Sequence, residues 1–227
     1  MTKHAKSWLG RLAPAITLRS QDARSTFERG FLATAFVSGS ARRAKKKSPL
    51  LAVIDDPSWA VVEQVIDSVN SAYLLWNDEV LYRAPLRGLR RLCLTREQLV
   101  KIDEHGRIFP RLDWVVLVEA DGTDWGVVRK VFPELAAFYV SFDARRYLER
   151  DVVREVVATV DARRVVFRIS YAGVRSPLRE LDDLAQALYD VVPNAPEIAI
   201  EVYWHTHRET DTHEIRVVDG HYVMVPT

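Results

Sequence analysis

"DWVVLVEADGTDWG" (Asp113–Gly126) decides how the rest of the chain is read. Its apolar run is continuous, without the alternation of a strand that has one wet face. Such a run fits a central strand covered on both sides, the usual state of strands in parallel sheets. "DGTDWG" (Asp121–Gly126) then supplies turn residues, and a brief helix is expected behind them. Strand, turn and helix in that order make an α/β reading, and the neighbouring segments extend it.

Downstream, "AFYVSF" (Ala137–Phe142) reads as the next strand. Asp143 opens a helix to about Val160 that turns Leu148, Val152, Val156 and Val160 inward. "RRVVFRISYAG" (Arg163–Gly173) alternates like a strand, with Val165, Phe167, Ile169 and Tyr171 on one face. Ser176 and Pro177 begin a helix with Leu178, Leu181, Leu184, Leu188 and Val192 inward, and "PNAP" (Pro193–Pro196) stops it. Three strands in an antiparallel meander are expected after that: 197–207, 213–218 and 221–225, the last two joined by Asp219-Gly220.

Upstream, "SPLLAVIDDPSW" (Ser48–Trp59) gives a strand at Leu50–Ile54 and a helix start, with Asp56 as cap and Pro57 in the first turn. Trp59, Val62, Ile66 and Val69 continue that helix at 3–4 residue spacing, and "SAYLLW" (Ser71–Trp76) reads as a strand. Between residues 77 and 112 the pattern thins, leaving a strand at Leu92–Leu94 and a short helix at Glu97–Ile102. Near the start, Ser20 caps a helix to about Ser38 whose stripe is Phe27, Phe31 and Ala35, with Gly39 ending it. The expected fold is thus α/β passing into α+β: a mixed sheet with flanking helices and a C-terminal antiparallel meander. Three portions are expected: a basic arm (1–47), a β-α-β domain (48–142) and an α+β portion (143–227).

With 48% hydrophobic residues, nine glycines and ten prolines among 227, the chain is no disordered or low-complexity protein. A single cysteine, Cys93, excludes an internal disulfide and any zinc site needing two thiolates. No apolar run approaches the ~20 residues of a membrane span, and no secretory signal is recognisable at the start. A cytoplasmic protein is expected.

The formal net charge of +1 conceals a split. Residues 1–47 hold eleven basic and two acidic side chains, a net of +9, which leaves −8 on the remainder. "ARRAKKK" (Ala41–Lys47) concentrates the charge in Arg42, Arg43, Lys45, Lys46 and Lys47. This arm suits a nucleic-acid or other anionic-surface contact, docking on the acidic body of its own chain or of a neighbour, or plain solvation. Phe27 and Phe31 are its candidate apolar contacts.

Catalytic patterns are sparse. "YWHTHRETDTHE" (Tyr203–Glu214) places His205 and His207 on one strand face. Parity admits Glu214 from the next strand and turns His213 inward. His205, His207 and Glu214 therefore form the two-His-one-carboxylate set of a divalent metal site, with Glu201 or Asp211 accessory. The acids Asp55, Asp56, Glu119, Asp121 and Asp143 follow apolar strands, where α/β sheets gather ligands. Their order resembles a response-regulator receiver over residues 48–172. That resemblance puts Glu119 at the phosphorylated aspartate and Ser141 at the hydroxyl position, with no lysine after the last strand. It would imply a binding domain incapable of phosphorylation, and the departures are too many to assign the family. Cys93 sits in apolar "RLCLT" (Arg91–Thr95) as a core thiol, and no nucleophile elbow, P-loop or Rossmann fingerprint occurs.

The sequence thus leads to a non-enzymatic interaction or adaptor subunit of a bacterial-type multicomponent assembly. Its basic arm would contact a partner protein or nucleic acid, with no resident cofactor. The alternative is a metal-dependent hydrolase or nuclease built on His205, His207 and Glu214.

Overall fold

The computed structural model describes residues 12, 26–28, 31–37, 53–67, 78–142, 150–171, 197–204, 210–218 and 221–226. The chain divides into two compact units. One comprises residues 1–94 and 100–112; the other comprises residues 95–99 and 113–227.

In the first unit, β1 (Thr26–Glu28) pairs antiparallel with β2 (Phe31–Val37), and β2 pairs parallel with β3 (Gln64–Asp67). The helix expected over 20–38 is therefore replaced by strands. Phe31, Thr34, Phe36 and Val37 are aromatic or β-branched, and the strand that selects them lies some thirty residues away in sequence. A local stripe cannot register that partner. The second expected helix shortens for the same reason. Asp56 does cap it, its carboxylate accepting from the Ser58 amide at 3.0 Å, but only a 3-10 turn forms, at Pro57–Val61. At Val62 the backbone turns extended (φ −73°, ψ 124°), and the β-branched Val65 and Ile66 enter β3.

Trp59 anchors this region. It is fully buried, and its indole N–H donates to the Val53 carbonyl at 2.9 Å. Helix α1 (Asp78–Arg83), which the sequence pattern does not reveal, buries Val80 and Leu81. Next come β4 (Arg91–Thr95), with Leu92, Cys93 and Leu94 buried, and α2 (Arg96–Glu104). Of the strand expected at Leu50–Ile54, residues 50–52 lie outside the described residues. Val53 and Ile54 form a turn rather than a strand, closed by the Asp56 amide donating to the Val53 carbonyl at 3.1 Å. The elements expected at 71–76 and 176–192 lie outside the described residues.

In the second unit, β5 (Trp114–Val118), β6 (Leu135–Ser141), β7 (Ala162–Tyr171) and β8 (Glu197–Trp204) run parallel in sequential order. Beyond β8 the sheet continues with β9 (Thr210–Val218) antiparallel to β8, and β10 (His221–Pro226) antiparallel to β9. The crossover helices α3 (Trp125–Val131) and α4 (Arg150–Thr159) touch each other. Sequential parallel strands joined by right-handed crossovers collect their helices on one face. That face holds two transverse layers, Val115–Phe138–Val165–Ile198 and Leu117–Val140–Phe167–Ile200, all buried. Each such side chain contributes about 1.5–3 kcal/mol of transfer free energy. Trp125 of α3 meets Phe138 edge-on, with ring centroids 6.5 Å apart. A receiver sheet reverses its strand order at a switch point, whereas β5 to β8 never reverse, so the resemblance does not extend to topology.

Candidate functional site

Most of the residues singled out in the sequence fall outside the described residues. Arg42, Arg43, Lys45, Lys46 and Lys47 lie outside the described residues, as do His205 and His207. Phe27 and Phe31 lie on strand backbone, opposite Leu32 and Glu28, rather than on a helix. Glu214 stands opposite Ala199 in the β8–β9 register, and Glu201 opposite Thr212. Glu201 accepts from the Nε of Arg168 at 2.8 Å. Among the described residues no group of three or more His, Cys, Asp or Glu side chains is disposed to hold a metal. Of the receiver-like acids, Asp55 pairs with Arg83 at 3.5 Å and Asp56 caps its 3-10 turn. Asp143 is outside the described residues.

The sequence reading overlooks the chemistry on the sheet face opposite that of Phe138 and Phe167. Arg164 and Glu197 are register partners across β7 and β8, and so are Arg168 and Glu201. Both pairs close as ion pairs, at 3.5 and 2.8 Å. Arg168 also lays its guanidinium over the Tyr139 ring, 4.5 Å from the centroid, and Trp114 tilts against Tyr139 at 5.0 Å. Trp114, Tyr139, Arg168 and Glu201 thus form a partly buried ladder across four strands. The signal was present as Arg164 and Arg168 alternating with Val165 and Phe167, but a charge on a strand's outer face ordinarily means only water. Geometrically the ladder pins the β7–β8 register: a one-residue slip would break both ion pairs at once.

Two further polar clusters stand out. After β5, Glu119 adopts a left-handed backbone (φ 54°) and Gly122 does likewise (φ 68°). Arg96 clamps this turn by donating to the Asp121 and Gly122 carbonyls at 2.7 and 3.4 Å. In the first unit, His105 stacks on Tyr82 (5.2 Å), and Arg107 reaches the Ala84 carbonyl and lies 5.8 Å from the Phe109 ring centroid. Arg107 Nε finds no acceptor, and burial pulls the guanidinium pKa below its usual value. The group is a cation throughout the physiological range even so.

No protein-family model, curated protein or solved structure matches the chain. Among the described residues, no helix is long and apolar enough to cross a membrane.

Proposed function

We propose that the protein is a non-enzymatic interaction subunit whose N-terminal unit engages nucleic acid through the basic segment containing Arg42, Arg43, Lys45, Lys46 and Lys47. The observation that carries this reading is the way charge divides between the two units. The first holds eighteen basic and ten acidic residues, a net of +8, and the second fourteen and twenty-one, a net of −7. A polyanion is attracted to the first unit and repelled by the second, so the division both supplies affinity and sets orientation.

The test is fluorescence anisotropy of labelled single- and double-stranded DNA and RNA with the full chain, titrated against salt. Replacing the five basic residues together by serine is expected to weaken binding and flatten the dependence of log K on log salt by up to about 4. No binding even at low salt would overturn the reading and direct attention to an acidic protein partner. The metal-dependent alternative has a separate readout. Stoichiometric divalent metal in the purified protein, lost on His205→Ala and His207→Ala substitution, would replace the proposal with a hydrolase or nuclease.

A further inference from the structure

We infer that the outer edge of β10 pairs antiparallel with the same edge of a second copy of the chain, joining two seven-stranded sheets across a two-fold axis at Val223. This goes beyond the nucleic-acid reading and does not depend on it.

Strand order leaves β10 at one end of its sheet, with β9 its neighbour among the described strands. Two residues connect Val218 to His221, and these two stand opposite each other. In a two-residue hairpin such a pair exchanges both backbone hydrogen bonds, and the pairing type alternates from there. His221, Val223 and Val225 thus direct their backbone groups at β9, while Tyr222, Met224 and Pro226 direct theirs outward. Pro226 fits this phase, because its missing N–H falls on the outward side, where no bond to β9 is lost.

The other sheet edges are blunted. β1 is three residues long and shifts register between Thr26 and Phe27, β3 carries Asp67, and β4 opens on Arg91. β10 keeps unbroken register with β9 over six residues and contains no Asp, Glu, Lys or Arg. An edge without charge or bulge is a template for another strand.

The backbone pattern of this edge is complementary to itself. With the axis at Val223, Tyr222 of each copy stands opposite Met224 of the other, and His221 opposite Val225. Both Tyr222–Met224 pairs are of the hydrogen-bonded type, so every outward amide from Tyr222 to Pro226 finds a carbonyl across the axis. Val223 meets its own counterpart, and no like charges face each other along the segment. One patch serves both copies, so the assembly closes as a dimer. A foreign strand of either sign would find no fixed charge on β10 to select it. The second unit's formal charge of −7 opposes the approach at low salt. At about 0.15 M salt, with a Debye length of ~8 Å, that repulsion is screened.

Sedimentation velocity of the full chain at about 0.15 M salt is expected to show a species of twice the 26.0 kDa chain mass, which dissociates on dilution. Met224→Pro deletes an outward amide and spares the bonds to β9, while Val223→Lys sets two cations against each other on the axis. Each is expected to raise the dissociation constant about tenfold or more, with circular dichroism and melting checking that the fold persists. If either variant fails to fold, Val223→Cys decides. A non-hydrogen-bonded pair sets its two Cα atoms about 4.5 Å apart, within disulfide reach, so oxidation is expected to give a covalent dimer. Tyr222→Cys, whose counterpart lies diagonally across the axis and out of that reach, is expected to give none. Cys93 is buried and is a common background to both forms. A monomer at every concentration, a dimer that survives both folded variants, or cross-linking as efficient at 222 as at 223 would overturn the inference.

Discussion

Arg168 shows how one side chain can hold several strands. Its Nε donates to Glu201 on β8 while its plane covers Tyr139 on β6, and both members of the ion pair are about 80% buried by side-chain area, at 20% and 19% exposure. A pair this buried gains from a weaker local dielectric but has also given up much hydration, so its net value is small while it is intact. Removing one member is different, because the other keeps its desolvation penalty. Arg168→Met is therefore expected to destabilise the fold by roughly 1–3 kcal/mol. Arg168→Met with Glu201→Leu should recover most of that loss, leaving an apolar rung beside Val166 and Ala199. Urea unfolding followed by circular dichroism measures the cycle. A double variant no better than the single would mean that Arg168 acts mainly through Tyr139 and its own packing.

At the scale of elements, α2 is closed at both ends by local chemistry. Thr95 and Gln98 form a capping box: the Gln98 amide donates to Thr95 Oγ1 at 3.3 Å, and the Thr95 amide donates to Gln98 Oε1 at 3.0 Å. At the other end Gly106 (φ 57°) turns the chain. Its amide reaches the Asp103 carbonyl while the Arg107 amide reaches that of Ile102, the double bond of a Schellman motif. Thr95→Ala removes one partner of the box and should cost about 1 kcal/mol, read as a lower urea midpoint with unchanged slope, whereas Thr95→Ser should cost less.

These ends also mark what the sequence could disclose. "TREQ" (Thr95–Gln98) and "EHG" (Glu104–Gly106) are complete within a few residues, and the apolar strands β5, β6 and β7 are continuous enough to stand alone. Phe31–Val37 and Val62–Asp67 carry period-four and strand-forming signals together. Only the β2–β3 pairing decides between them, and that contact joins segments distant in sequence. Arg168 and Glu201 are thirty-three residues apart and become a pair only once the parallel register is known.

For the whole molecule, a pI near 7.9 describes an average that neither unit shares. Near that pH the net charge is close to zero, while charges of opposite sign, formally +8 and −7 at pH 7, reside on the two units. Molecules with little net charge but units of opposite sign attract one another, unit to opposite unit, and nothing long-ranged opposes the approach. That attraction falls with the Debye length, which shrinks from ~30 Å at about 0.01 M salt to ~8 Å near 0.15 M. The protein should therefore salt in: near pH 7.9 its solubility rises, and the light-scattering second virial coefficient moves from negative toward positive, over that range. Replacing Arg42, Arg43, Lys45, Lys46 and Lys47 by serine should shrink the effect, because it removes five of the charges that make the first unit cationic. The same replacement carries the net charge to −4, so part of the rise in solubility at low salt would come from simple repulsion. Measuring the variant at its own, lower isoelectric pH separates the two causes. A salt response undiminished there would show that the asymmetry lies elsewhere than in the basic segment, and would weaken the case for that segment as the polyanion contact.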